Sequence, residues 1–410
     1  MPWTRTDWMS ERVKFIAAYL KGSSSFSDLC QDFGVSRKTG YKWVHRYADG
    51  GASALEERSR APLSHPNAIG SDVVESILAI RRRHPRWGPR KLRVVLGRQR
   101  PRIVLPAAST IGDILKRHDL VPPRRRVRRS SPYGDRLRQY DAPNAVWCAD
   151  FKGCFRVGGI GGDRCHPLTI SDGYSRFLLR CRALRRPLTH HTRRIFESAF
   201  REYGLPRAIR TDNGPPFSTL APGGLSRLSV WWIRLGIRPE RIMPGRPEQN
   251  GRHERMHRTL KAETAKPPRS SFQAQQRAFD RFLVEYNDER PHEAIDQQVP
   301  AALYRPSLRR YPAYLPQVEY PPHVETRVAY PNGVISFGAN QWYVSHCLAG
   351  ERIGLEPCDD GRWRVLFGWV PIGIVDVRHD SEQRGNRQFG RLIPIVDPAS
   401  ARRRRRRYGS

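Results

Sequence analysis

Apolar positions in the first fifty residues recur at helical spacing. Val13, Ile16, Ala17 and Leu20 give one apolar face opposite a charged one and predict a helix over 11–20. Leu29 and Cys30 repeat the pattern within 26–33, Gly34 breaks it, and Ser36 is placed to cap a third helix carrying Tyr41, Val44 and Tyr47. The layout is that of a helix-turn-helix domain over 1–60. Its last helix would present Arg37, Lys38, Thr39 and Lys42 to the major groove. Gly50, Gly51 and the proline-bearing stretch 59–66 mark a linker. A second helical, helix-turn-helix-like domain is expected over 68–121: Val73, Val74, Ile77, Leu78 and Ile80 open it, 84–89 turns, 92–96 resumes, and Ser109 caps 110–118.

From residue 145 the period becomes that of strands. The runs 146–157, 166–171 and 177–183 predict an antiparallel meander, followed by a helix over 188–203, a short buried strand over 208–211, and helices over 225–235, 247–265 and 272–287. This α/β pattern places a domain over 141–310. Beyond it, short strands at 334–337, 341–344, 352–356 and 363–367 suggest a small all-β barrel over 320–378. Two arginine-rich segments flank these domains: a linker over 122–140 with Arg124, Arg125, Arg126, Arg128 and Arg129, and a tail over 379–410 that includes six consecutive arginines, 402–407. Such blocks cannot pack against themselves and read as electrostatic arms for phosphate.

Charge narrows the partner. Lys and Arg number 73 against 39 Asp and Glu in 410 residues, a formal net charge of +34, which calls for a polyanion. No apolar run of about 18 residues exists and the first eleven residues lack a signal peptide's apolar segment, so nucleic acid in the cytosol is the expected partner rather than a membrane. Seven cysteines without a C-x-x-C pair fit neither a disulfide framework nor a zinc ribbon and read as reduced core thiols.

The candidate chemistry sits at strand ends. Asp150 in W-C-A-D-F-K-G and Asp212 in R-T-D-N-G-P-P-F stand where a polar side chain leaves a sheet. The segment P-G-R-P-E-Q-N-G-R-H-E-R-M-H-R-T-L-K then turns helical, and counting by fours lines up Asn250, Glu254 and Arg258, with Lys261 close by, on one face. Three converging carboxylates repel unless cations join them, and hard oxygen donors suit two Mg²⁺ or Mn²⁺ ions. Glu248 is the other glutamate near this helix, but six residues turn it by about 240° from Glu254, so only one can face the ions, and Glu248 is better placed as a helix N-terminal acid.

Taken together, these motifs resemble the catalytic domain of retroviral integrases and of bacterial insertion-sequence transposases. The likeness runs over 147–304 and includes Y-N-D-E-R-P-H-E-A-I-D at 286–296, then Pro300, Ala301 and Tyr304; R-K-T-G-Y-K-W and E-E-R-S-R-A-P resemble the N-terminal region of one transposase group. The resemblance implies an RNase H-like core, a mixed five-stranded sheet with helices, and a D-D-E triad of Asp150, Asp212 and Glu254. It also implies that Arg258 and Lys261, with Lys152 and Asn250, approach DNA. By the same resemblance, an enzyme joining double-stranded element ends to target DNA would work at least as a dimer, in the bacterial cytoplasm close to the nucleoid. The interval between Asp212 and Glu254 is longer than in the best-known members, with Pro222-Gly223-Gly224 as an extra loop, and the viral zinc-binding His/Cys segment is absent.

Three other readings exist. His253-Glu254-Arg255-Met256-His257 matches the H-E-x-x-H zinc-peptidase signature, which needs a third ligand and a peptide cleft. A non-catalytic helix-turn-helix regulator would explain the charge but leave the triad without a role. His190 and Arg193 match a fragment of tyrosine recombinases, a pairing expected by accident in an arginine-rich chain.

Overall fold

The computed structural model describes residues 8–57, 68–121, 140–151, 153–159, 161–219, 221–242, 251–359, 361–378 and 389–394. The chain divides into two compact units, Met1–Val73 and Val74–Ser410.

In the first unit, α1 (Trp8–Lys21), α2 (Phe26–Asp32) and α3 (Arg37–Gly50) enclose a small core of Phe15, Ile16, Leu29, Cys30 and Leu55. Ser25 and Ser36 cap the second and third helices, accepting the N–H groups of Asp28 at 3.3 Å and Thr39 at 3.2 Å. Gly40 is what lets α3 approach so closely. A Cβ there would meet Cys30 Sγ at 2.7 Å and the rings of Phe15 and Phe26 at 3.0 Å.

The second unit begins with α4 (Ser71–Arg83, most of which lies in it), α5 (Pro89–Gln99) and α6 (Ala108–Arg117), which bury Ile77, Leu92, Leu96 and Ile111. Ala107 precedes α6 with no side-chain cap, so Ser109 lies inside the helix and not at its cap as the sequence suggested.

The central sheet contains β1 (Val146–Phe151), β2 (Phe155–Arg156), β3 (Arg164–Asp172), β4 (Leu178–Leu184), β5 (Ala208–Thr211) and β6 (Arg238–Arg241). β3 pairs antiparallel with β1, β2 and β4, while β5 runs parallel to β1 and β6 parallel to β5. The expected single strand over 146–157 is therefore two, and β6 is an addition: its sequence R-P-E-R carries no strand pattern, and a proline is tolerated because this is an edge. α7 (Thr189–Tyr203) and α8 (Arg227–Arg234) cover one face over a core of Trp147, Ile170, Phe196, Phe200 and Trp232. On the other side, α9 (Gly251–Thr264) and α10 (Phe272–Val284) bury Met256, Leu260, Phe279 and Phe282 against Leu178 and Cys181.

Two small sheets follow around one apolar core that includes Ile335, Trp342, Ile353 and Phe367. One joins β7 (Glu325–Val328), β10 (Arg352–Asp359), β11 (Arg362–Phe367) and β12 (Val370–Asp376); the other joins β8 (Val334–Phe337), β9 (Asn340–Tyr343) and β13 (Gly390–Arg391). An isolated bridge, Ile374 to Ile393, links them. Cys30, Cys165 and Cys181 are buried as expected of core thiols, whereas Cys154 and Cys358 are exposed. No described helix is long and apolar enough to cross a membrane.

Candidate active site

β1 and β5 are neighbours in parallel register, with Cys148 opposite Arg210. Two residues further on come Asp150, within β1, and Asp212, just past the end of β5, so the pairing brings both carboxylates to the same end of the sheet on strands about 4.8 Å apart. Alternation turns them away from the core that holds Trp147, Ala149 and Ile209. Arg210, buried on β5 two residues before Asp212, is fixed by Glu240 of β6 at 2.7 Å and 3.2 Å, which ties β5 to the edge strand. Burial pushes the Asp212 carboxyl above its ordinary range, opposed by the Gly214 N–H at 3.2 Å.

α9 meets this sheet through histidines. His253 and His257 are one turn apart, both buried, and both Nε2 atoms reach Thr169 Oγ1 on β3, at 2.8 Å and 2.6 Å. Thr169 is the β3 residue paired with Asp150, and His257 Nδ1 lies 3.6 Å from Asp150 Oδ2. The Thr169 hydroxyl also donates to the Asp150 carbonyl oxygen at 3.3 Å, the Ser171 hydroxyl lies 3.4 Å from His253 Nδ1, and His257 Nδ1 faces the Asp150 carboxylate.

Glu254 lies between the histidines in sequence but is exposed, about 60° around the helix from His257. Arg258 shares its solvent-facing side, and Lys261 follows one turn later. Among the described residues no three His, Cys, Asp or Glu side chains are gathered closely enough to hold a metal ion. Lys152, Asn250 and Glu248 lie outside the described residues, as do the arginine runs 124–129 and 402–407 and the linker 59–66. In the first unit Arg37, Lys38 and Lys42 are exposed on α3, and Thr39 supports the cap with its hydroxyl 2.9 Å from Ser36 Oγ.

The segment 285–292 holds this second unit together. A π-helical turn, Glu285–Glu289, extends α10 and buries Tyr286 and Asn287. The Asn287 amide bonds both ways to the Leu178 backbone, accepting at 2.8 Å and donating at 3.0 Å. His84 and Arg83 of the α4 end meet Glu285 and Glu289 at 3.2 Å each. Neither the Thr169 hub nor the Asn287 clamp was read from the sequence. The i,i+4 histidines were visible there, but only as a zinc signature.

The sequence matches the Helix-turn-helix domain family over residues 11–62, the Homeodomain-like domain family over 39–115, and Integrase core domain families over 141–247 and 235–300. It is 28% identical over 161 residues to the insertion element IS407 uncharacterized 31.7 kDa protein of Burkholderia multivorans, covering 39% of this chain and 55% of that one. It is also 28% identical over 247 residues to the insertion element IS476 uncharacterized 39.2 kDa protein of Xanthomonas euvesicatoria, covering 59% of this chain and 66% of the other. The chain thus carries helix-turn-helix and integrase-core segments and is similar to proteins of bacterial insertion elements. Its match spans just over half of the first relative's length and about two thirds of the second's. The solved HTLV-2 integrase catalytic core domain in complex with magnesium aligns with 16% identity and a TM-score of 0.32, over 41% of this chain and all of that one. The integrase core holds Asp150, Asp212 and Glu254 within its matched residues, and the helix-turn-helix match contains the exposed cations of α3.

Proposed function

We propose that this protein is a transposase that cleaves DNA at the ends of its element and transfers the freed strands into target DNA, with Asp150, Asp212 and Glu254 as a D-D-E triad. The observation that carries the reading is the parallel pairing of β1 with β5, whose neighbouring ends carry Asp150 and Asp212, with α9 docked beside Asp150 through His257. The donor set fits Mg²⁺ or Mn²⁺: hard carboxylate oxygens, one of them disfavoured as a bare charge by burial. Two such ions, when bound, would activate the attacking oxygen and stabilise the leaving oxygen at one phosphodiester.

The chain's own residues do the rest. His257 fixes the orientation of Asp150 through the Thr169 hub, and Glu254, on the open side of α9, would close onto the carboxylate pair when cations offset the repulsion. Arg258 and Lys261, beside it, would grip the phosphates of the bound strand, together with Lys152 and Asn250. Arg37, Lys38, Thr39 and Lys42 would engage element-end DNA by the recognition helix, and the arginine runs would add unspecific affinity. We place the catalytic domain over 141–310 and read the β-domain that follows as a small barrel. Joining two element ends at once would require at least a dimer, acting in the cytoplasm. Attack is direct, by water and then by the 3′-OH, with no covalent protein adduct.

The test is Glu254→Gln assayed on end-bearing DNA with Mg²⁺ and with Mn²⁺. Cleavage and strand transfer should disappear while DNA binding remains, and Glu248→Gln should keep much of the activity. An active Glu254→Gln enzyme, or a protein-DNA adduct trapped on a suicide substrate, would refute the mechanism.

A further inference from the structure

A cavity of about 510 Å³ opens on another flank of α9 from Glu254. Its wall gathers Lys91 of α5, Arg176 of the turn before β4, Arg255 of α9 and Arg290 after the π-helical turn, with Glu293 as the carboxylate in the lining. Arg290 is paired with Glu263 at 2.9 Å. Lys91 and Arg255 make no side-chain hydrogen bond or ion pair among the described residues. His292 adds no charge, because burial and the cations Lys91, Arg290 and Arg176 hold it neutral, down to about 3. Burial and Arg290 likewise bring the Lys91 ammonium down to about 8, against the pull of Glu293 and Glu263.

Like charges gathered in a half-enclosed space repel one another and gain from a shared anion. Arg176 reinforces the point, because its backbone is held at φ 67, a left-handed conformation that a non-glycine residue rarely adopts. Arg and Lys together offer both forked and point donors to phosphate oxygens. The volume admits a phosphodiester group with part of its sugar. On α9, Arg255 and Thr259 face this cavity while Glu254 and Arg258 face the adjoining open side, so a strand crossing the helix near Glu254 passes the cavity mouth.

We propose that this cavity is a phosphate seat for the DNA strand, occupied by a backbone phosphate next to the one that reacts. The inference rests on the DNA-processing reading given above. It gives the R-P-H of the Y-N-D-E-R-P-H segment a binding role, and it makes the α4–α6 unit a contributor to the strand path through Lys91.

The test uses the full chain and a duplex without the element-end sequence, with affinity measured between 50 and 200 mM salt. Lys91→Gln and Arg255→Gln should each lower the slope of log K against log salt by up to about 0.9, the value of one phosphate contact. Arg277→Gln, an exposed cation on α10, is the control and should leave the slope near that of the parent. The free Lys91→Gln protein should melt no lower than the parent, since it loses an uncompensated cation. Unchanged slopes in a parent that binds DNA would overturn the seat and leave the DNA-processing reading standing. A parent that does not bind DNA would overturn both. Equal loss in Arg277→Gln would reduce the effect to bulk charge and overturn the seat. Inorganic phosphate is the second probe: if millimolar phosphate raised the melting temperature through Lys91 while the DNA slopes stayed unchanged, the cavity would take a free anion and the strand assignment would fall.

Discussion

His257 Nδ1 stands 3.6 Å from Asp150 Oδ2, joining the helix that carries Glu254 to the strand that carries the first aspartate. The contact is held from behind by Thr169, whose hydroxyl lies within 2.8 Å of both histidine Nε2 atoms. A helix tethered by two buried rings has little freedom to rotate, so the direction in which Glu254 projects is set by Thr169.

Thr169→Val keeps the shape of the side chain and removes the hydroxyl. Two buried imidazole nitrogens then lose their partner, which should lower stability by about 1–3 kcal/mol. Thermal denaturation measures this. DNA cleavage should fall by a larger factor than DNA affinity, and a variant of parental stability would show that the hub is not tightly bonded.

Metal should bind to the carboxylate pair before DNA is present. Mg²⁺ or Mn²⁺ in excess should raise the melting temperature, by the equivalent of about 2.7 kcal/mol at a hundredfold excess over Kd. Asp150→Asn and Asp212→Asn should each abolish the rise. Glu254→Gln should reduce it less if the glutamate closes only on the DNA complex. Differential scanning calorimetry with and without chelator decides the matter.

Gly40→Ala should loosen the first unit. The new methyl group would sit 2.7 Å from Cys30 Sγ and 3.0 Å from two phenylalanine rings, so α3 must shift. Overpacking of this kind costs about 1–3 kcal/mol. Because α3 presents Arg37, Lys38 and Lys42, end-specific binding should weaken while binding to unspecific DNA changes less. A gel-shift series with both duplexes separates the two.

Acid should weaken the second unit through His292. Its folded-state value of about 3 lies below its ordinary one of 6.5, so the unfolded chain takes up the proton first and stability falls as pH drops from about 6.5 toward 3. His292→Gln should make denaturation midpoints less dependent on pH within that window. An unchanged acid limb would place the acid sensitivity in other groups.

Much of this architecture was legible because it is written in local pattern. The helix over 11–20, the cap at Ser36 and the strand-end positions of Asp150 and Asp212 depend on neighbours a few residues away and stand where expected, but the first helix buries Phe15 with Ile16 and leaves Val13 and Leu20 exposed, because its inner face is chosen by the packing of α2 and α3. The same local signals misassigned Ser109, since a serine favours a cap without requiring one, and passed over β6, whose R-P-E-R forms a strand only because β5 offers it an edge.

What the sequence by itself determined is therefore the set of elements and the identity of the candidate carboxylates. Which side chains share a site was decided by the tertiary structure. His257 comes to Asp150 because β3 pairs with β1 and α9 packs on that face, a contact across 107 residues of chain that no periodicity encodes. His253 and His257 read as metal ligands in one dimension and as partners of a threonine in three. Lys91 joins Arg255 and Arg290 for the same reason: burial of α5 and α9 against a common segment brings like charges together that the linear chain keeps far apart. Hydrophobic burial sets these packings, and the polar groups it carries along must then find partners wherever the fold has placed them.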